Sequence, residues 1–489
     1  MILTIIIVVG IIGIGALGVA SSRRQKNMST WTVGKRDFPK WTAWFLQAGE
    51  SLTTFSFLGL AGIAFAGGVS AVFALGYLTM SCICMYFVAP RIRALGASRG
   101  YLTMADFFRD RYKSVPLAKI IALVGALFLI PYLQLQITGL GLIVELATGS
   151  SAARGFSMIM ASILVIIFVA WSGIRGIAKV AILKDILMAV ALVIVFVGVA
   201  VGVSGIPDVF AQVAEEAPVL LTLRAEGYDT TFFITAMLVT TIGAGFATFP
   251  HLWSPILAAE SGAVLRSNYK WLAVYQLLLF IPITVGLAAV LVLSPDTTGN
   301  AVLLTLTQNT LPEWLVGIVA VAGASAAMVP AGGIAMGISA LVSNNLLKPK
   351  KESQQMFVTY AVIIVAVGMA LLFGLVRSDI GALLLLTYGG LTQMAPAVAL
   401  ALPTRVRVGG VPVMLGIITG ALSVAVITFA NIPIGNWDSG LISLAPNLLV
   451  VAVAEAVRRI RPRSSVASET PVGTNPDPDP REVSIGVRS

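Results

Sequence analysis

Apolar runs of about 20 residues, the length a helix needs to cross the hydrocarbon core of a bilayer, recur along almost the whole chain. With polar, proline or glycine punctuation between them, they fall at about 1–20, 42–66, 69–90, 116–147, 154–174 and 179–204. A second series follows at about 231–258, 268–294, 311–346, 356–376, 380–402, 410–430 and 440–459. A length of 489 residues would by itself suggest about three domains. The recurring runs instead predict one all-α polytopic bundle of about thirteen transmembrane helices. Composition agrees: only 11% of residues are charged, where a soluble protein carries roughly a quarter.

The formal charge of +10 would raise nucleic-acid binding in a soluble protein, but here the basic residues sit in short segments between the apolar runs. They report topology, and the expected partner is the lipid bilayer, with no nucleic acid and no obligate protein partner. Alternate loops, beginning with RRQKNMSTWTVGKRDFPK at 23–40, carry 29 of the 32 lysines and arginines, leaving Arg154, Arg224 and Arg377 for the other side. That bias predicts a cytoplasmic-membrane protein with its N-terminus outside and its C-terminus in the cytoplasm. The first run ends in small residues (GALGVASS) as a signal peptide does, but it is long and has no basic start, so a retained helix at 1–22 is expected. The Pro-, Ser- and Asp-rich segment 462–489 is expected to be disordered cytoplasmic chain.

Cys82 and Cys84, two apart in an apolar run, point in different directions and form no disulfide framework. A single histidine and no spaced Cys/His set argue against a metal or haem cofactor, and no catalytic cluster marks the loops. An enzyme is not expected.

Backbone that leaves the helix inside a bilayer must line a cavity or be buried in protein, so glycine and proline breaks point to a site. Two stand out: LQAGESLTTFSFLGLAGIAFAGG at 46–68 and TTIGAGFATFPHLWSPIL at 240–257. They lie five spans apart. An odd number of helices per unit puts the units in opposite orientations, which predicts a 5+5 inverted repeat, 42–204 and 231–402. Its first and sixth core helices are discontinuous, the helix at 1–22 is peripheral, and two peripheral helices follow at 410–459.

Within the first break, Glu50 is costly unless paired, hydrated or protonated, so it is a candidate for proton carriage or cation pairing. Ser51, Thr53, Thr54 and Ser56 offer hydroxyls, beside free N–H groups, to a substrate carboxylate, with Thr53 or Thr54 preferred; each can equally bond its own backbone. In the second break, His251 lies near Phe249 and is able to donate to an anion or shuttle a proton. All 32 basic residues are placed at loops or helix ends, so hydroxyls and half-helix N–H groups, rather than a buried arginine, are expected to hold the solute.

FPKWTAWFLQAGESLTTFSFLGLAGIAFAGG resembles the first core helix of the sodium:solute symporter family, which has the inverted-repeat fold of the leucine transporter, and TMADFFRDRY resembles that family's short segment before the third core helix. AGESLTTFSFLG, PYLQLQITGLG, FPHLWSPILAAES and MVPAGGIAMGISALVSNN are similar to its monocarboxylate permease branch. Together these stretches span most of 30–400. The resemblance implies a secondary active transporter that imports a small organic anion, such as pyruvate, lactate, acetate or propionate, by alternating access. The alternative is a sodium-coupled symporter of another solute, an amino acid or vitamin.

On the third core helix Tyr132 and Gln136 share a face and are expected to line the cavity. Asp185, where the family often has an aspartate, and Gln393 on the tenth core helix are gate candidates, against simpler roles of pairing with Lys184 and of packing. The family's sodium site implies carbonyl ligands at Gly49 and Leu52 and hydroxyls at two positions of the eighth core helix, here Val329 and Pro330. Neither has an oxygen side chain, and Ser325 one turn earlier, with Met328, is what remains there for ion coupling. The coupling ion is therefore expected to be H+ through Glu50, or Na+ at an altered site, with no other cofactor.

Overall fold

The computed structural model describes residues 2–20, 25, 27–149, 151–202, 205–376 and 379–460. The expected tail at 462–489 lies outside them. Among the described residues ten helices are long and apolar enough to cross a membrane. Two of these are long enough to double back: Phe55–Arg99 joins the second half of core helix 1 to core helix 2, and Arg154–Gly202 joins core helices 4 and 5. With the shorter apolar helix Ile2–Ala20, that makes thirteen apolar helical segments among the described residues.

The core comprises two five-helix units, each opening with a broken helix. Core helix 1 runs Lys40–Ala48, leaves the helix over 49–54, passes through a π-helical turn at Phe55–Gly59 and resumes at Leu60–Gly67. Core helix 6 runs Thr230–Gly245, opens at 246–249 and resumes through Pro250–Leu252 into Trp253–Ala258. Ala247 in that gap has φ +52°, and its carbonyl accepts from the Trp253 indole N–H at 2.8 Å. Core helix 8, Glu313–Leu341, is the axis: nearly all its residues from Val316 onward are buried, packed against core helix 3 (Val115–Thr148) and the helices of 151–202.

Core helices 4 and 5 are separated by Gly173, at φ 55° and ψ −154°. That conformation is accessible essentially to glycine alone. A Cβ there would also stand 2.6 Å from the Trp31 carbonyl oxygen. The link at 205–230 is ordered as a helix (Ile206–Glu216) and a small antiparallel hairpin of β1 (Arg224–Ala225) and β2 (Tyr228–Asp229). It caps the far end of core helix 1, beyond Gly67, where Ser70 donates to the Tyr228 carbonyl.

The face carrying most of the basic loops is closed. Phe38 pairs with Ala259 in a short parallel bridge: its N–H donates to the Ala258 carbonyl and its carbonyl accepts from Glu260 N–H, both at 3.0 Å. Arg93 donates to the Ala259 and Glu260 carbonyls, Arg36 to those of Leu257 and Tyr101, and Arg175 pairs with Asp37 at 2.6 Å. The amphipathic segment Met104–Tyr112 packs here with Met104, Phe107 and Phe108 buried. Its Asp106 completes a capping box and accepts from the Asn344 and Asn345 side-chain amides at the end of core helix 8.

Replacing Gly173 by Ala is expected to cost about 1–3 kcal/mol from backbone strain alone, read as a lower melting temperature of the purified protein. Asp106→Ala removes a charge-assisted cap and the tie to core helix 8. The expected loss is about 2 kcal/mol, checked by the same melt.

Candidate functional site

The two breaks face each other across an internal cavity of about 80 Å³. Glu50 and Ser51 come from the first break, Phe249 and His251 from the second, Tyr132 from core helix 3 and Tyr388 from core helix 10, which runs Ile380–Thr392 and Ala395–Ala401. The rings form a continuous aromatic wall: Phe249 meets Tyr388 edge-on at 4.5 Å between centroids, and Tyr132 stands 5.9 Å from Phe249 and 5.6 Å from His251. Glu50 and His251 approach to 3.4 Å between Oε2 and Nε2, both almost fully buried.

Glycines on core helix 8 allow this approach. A Cβ at Gly333 would lie 2.5 Å from Glu50 Oε1, and one at Gly337 would lie 2.7 Å from the His251 Cβ. A side chain at Gly337 would push the His251 backbone away from core helix 8, and one at Gly333 would force the Glu50 carboxylate to move.

Several polar atoms around the cavity are buried without a hydrogen-bond partner among the described residues. They include Gln47 Nε2, Ser81 Oγ, Gln276 Oε1 and His251 Nδ1, while the Gln276 amide nitrogen lies within hydrogen-bonding reach of the Cys82 thiol. Buried polar groups are normally satisfied, so a cluster of unpaired ones marks a place where something else binds. Gln47 Nε2 donates, Gln276 Oε1 accepts, the Ser81 hydroxyl does either, and His251 Nδ1 does one or the other according to the state of the ring.

Other expected residues are turned elsewhere. Thr54 donates to Gln136 Oε1 at 2.9 Å, so these two side chains tie core helix 1 to core helix 3 and do not line the cavity. Gly139 leaves room for this tie, since a Cβ there would overlap the Thr54 methyl. Ser56 donates to the Ser51 carbonyl at 2.7 Å and caps the break, and the buried Thr53 lies within hydrogen-bonding reach of Tyr132. Gln393 packs in this structure: its amide donates to the Gly389 and Gly440 carbonyls and it accepts from Asn447, holding core helix 10 to the final helix Ser439–Ile460. Met328 faces Gly15 of the N-terminal helix, and Ser325 donates back to the Ala322 carbonyl at 2.6 Å.

Asp185 is buried rather than set at the membrane surface, and Lys184 beside it is buried completely, which corrects the expectation that every basic residue lies at a loop or helix end. The Lys184 ammonium donates to Asp185 Oδ1 at 2.9 Å and to the Gly49 carbonyl at 2.8 Å. The reason is tertiary: the break in core helix 1 offers an unpaired carbonyl deep in the bundle, and core helix 5 passes beneath it. Val329 is where the motif match puts it, with its Cγ1 3.4 Å from the point a Gly49 Cβ would occupy. Tyr388, Gln276 and Ser81 were not singled out from the sequence. Tyr388 adjoins the glycines of TYGGLTQMAP, but only the packed helix faces show which of these residues meet the cavity.

The comparisons follow this architecture. The model of the sodium:solute symporter family matches residues 31–430. The uncharacterized symporter YhjB of Bacillus subtilis is 32% identical over 450 residues, covering 90% of this chain and 91% of that protein. A monocarboxylate transport permease protein of Rhizobium johnstonii is 26% identical over 339 residues, 68% of each chain. Among solved structures, a Na+-coupled sialic acid symporter in a substrate-bound outward-open state superposes with a TM-score of 0.76 at 18% identity, covering 94% of this chain and 98% of that one. With its paired broken helices and inverted five-helix units, this multi-pass membrane protein belongs to the sodium:solute symporter family.

Proposed function

We propose that the chain imports a small, singly charged organic anion of the short-chain monocarboxylate class by ion-coupled alternating access. The observation that carries this reading is the set of buried polar side chains able to donate, Gln47, Ser81, Gln276 and His251, around a cavity of about 80 Å³. A carboxylate is an acceptor with about four lone-pair sites, and so complements that set. The volume is far below the roughly 300–1,000 Å³ of drug-sized sites, which favours a solute of a few heavy atoms. The aromatic wall would take its short apolar end. The Rhizobium relative described as a monocarboxylate transport permease supports the same class.

In this reading the basic face is cytoplasmic, with the N-terminus outside and the C-terminus inside. On the opposite face a vestibule of about 580 Å³ reaches down to Phe55 at the outer edge of the first break, which suits entry from outside. The solute would cross unchanged, held by Ser51, Tyr132, Phe249 and His251, with Glu50 as the coupling carboxyl. A second reading, Na+-coupled uptake of another small solute, is favoured by the family and by the Na+ coupling of the sialic acid symporter.

Proteoliposomes with an imposed pH gradient or sodium gradient, offered labelled pyruvate, lactate, acetate and propionate, test the proposal. Accumulation of at least one of them is expected, and its absence with both gradients overturns the monocarboxylate class. Gln276→Leu is expected to raise KM about tenfold, the penalty for losing one hydrogen bond to a charged group. Glu50→Gln is expected to lower gradient-driven accumulation about tenfold or more while solute exchange across the membrane persists, as measured by counterflow.

A further inference from the structure

The carbonyl of Gly49 closes the first half of core helix 1, at the negative end of its dipole and deep in the bundle. Such a carbonyl, beside a carboxylate, is a cation site. The sequence match assigns the family's sodium ligands to this place, but the residues do not fit sodium. The eighth core helix presents Val329 and Pro330, and Ser325 spends its hydroxyl on its own helix. Sodium needs several oxygens to replace its water. What stands there is the Lys184 ammonium, fully buried, bonded at once to the Gly49 carbonyl and to Asp185.

We propose that the Lys184 ammonium is the resident cation of this site, a charge tethered to core helix 5 that takes the place of the coupling sodium. This deepens the reading of the chain as an ion-coupled symporter and rests on it. An ammonium supplies three donors and one positive charge, which suits a carbonyl and a carboxylate better than a bare ion lacking most of its ligands. It also joins core helix 5 to the inner half of core helix 1 by a bond that no change in external sodium can remove.

The titratable groups around it are few. Asp185 lies on the same helix, Glu50 comes from core helix 1 with His251 of core helix 6 behind it, and Tyr275, at the end of the helix Gly262–Tyr275, is in electrostatic range of Asp185. The two acids and the two bases balance when all are charged. A monocarboxylate adds one negative charge to this interior, and one proton restores neutrality, whereas sodium would need a second cation site. In this count the added proton goes to a carboxylate, Glu50 or Asp185, and coupling passes to it.

The test begins with binding of radioactive sodium to the purified full-length protein, without organic solute, so that an error in the solute class leaves it intact. Wild type is expected to show no saturable sodium binding and no change in melting temperature when sodium replaces choline. A saturable sodium site in wild type overturns the proposal, and this measurement stands even where a variant fails to fold. Lys184→Ala is expected to melt lower and to regain stability with methylammonium but not with tetramethylammonium, which is too large for the vacated place. Lys184→Met, which fills the space without the charge, is expected to melt lower and to gain nothing from either. A Lys184→Ala protein that methylammonium leaves unchanged, or one that melts like wild type, overturns the proposal.

Discussion

Inside a bilayer every backbone carbonyl and N–H must find a partner, and the architecture follows from how the two breaks meet that demand. At the first, Ser56 returns to the Ser51 carbonyl and Lys184 reaches up to the carbonyl of Gly49. At the second, Thr248 donates to the Gly243 carbonyl and the Trp253 indole to that of Ala247. These partners come from the breaks themselves or from one neighbouring helix. The gaps are therefore held in fixed shapes, and the polar atoms they do not satisfy are gathered around one small volume.

That volume is shaped by small residues more than by large ones. Core helix 8 presents glycine where Glu50 and His251 press against it, and core helix 3 presents glycine where Thr54 does. Close approach of backbones lets short polar side chains meet at the bundle's centre, where water is scarce and each charge interacts more strongly with its neighbours. The aromatic residues then close the side facing core helix 10, with the Phe249 and Tyr388 rings in edge contact.

The apolar spans and the two breaks were legible in the sequence, and so was the choice of Glu50 and His251 as the residues to watch in them, because each rests on a local signal: an apolar run, a Gly/Pro interruption, an ionisable group at membrane depth; that the two side chains meet was not. What was not legible depends on which face of a helix meets which neighbour. ILKDIL reads as an interfacial pair next to a basic loop, and nothing local says that Lys184 lies beneath a broken helix. Thr54 and Gln136 each carry a polar group suited to a solute, yet the glycine at position 139 lets them find each other first. Gln393 sits beside two glycines as a gate residue would, but the final helix, which lies outside the ten-helix core, takes its hydrogen bonds. Gln276 and Ser81 lie in apolar stretches with no break to draw attention to them.

The bridge between Phe38 and Ala259 joins the strand of chain entering the first broken helix to the chain leaving the second. Its two hydrogen bonds are between main-chain atoms, which are the same whatever residues occupy those positions. The two broken helices are thus yoked at the ends nearest the basic face, so that a swing of either pulls on the other. Because the yoke is main chain, a side-chain substitution in this seam leaves it in place.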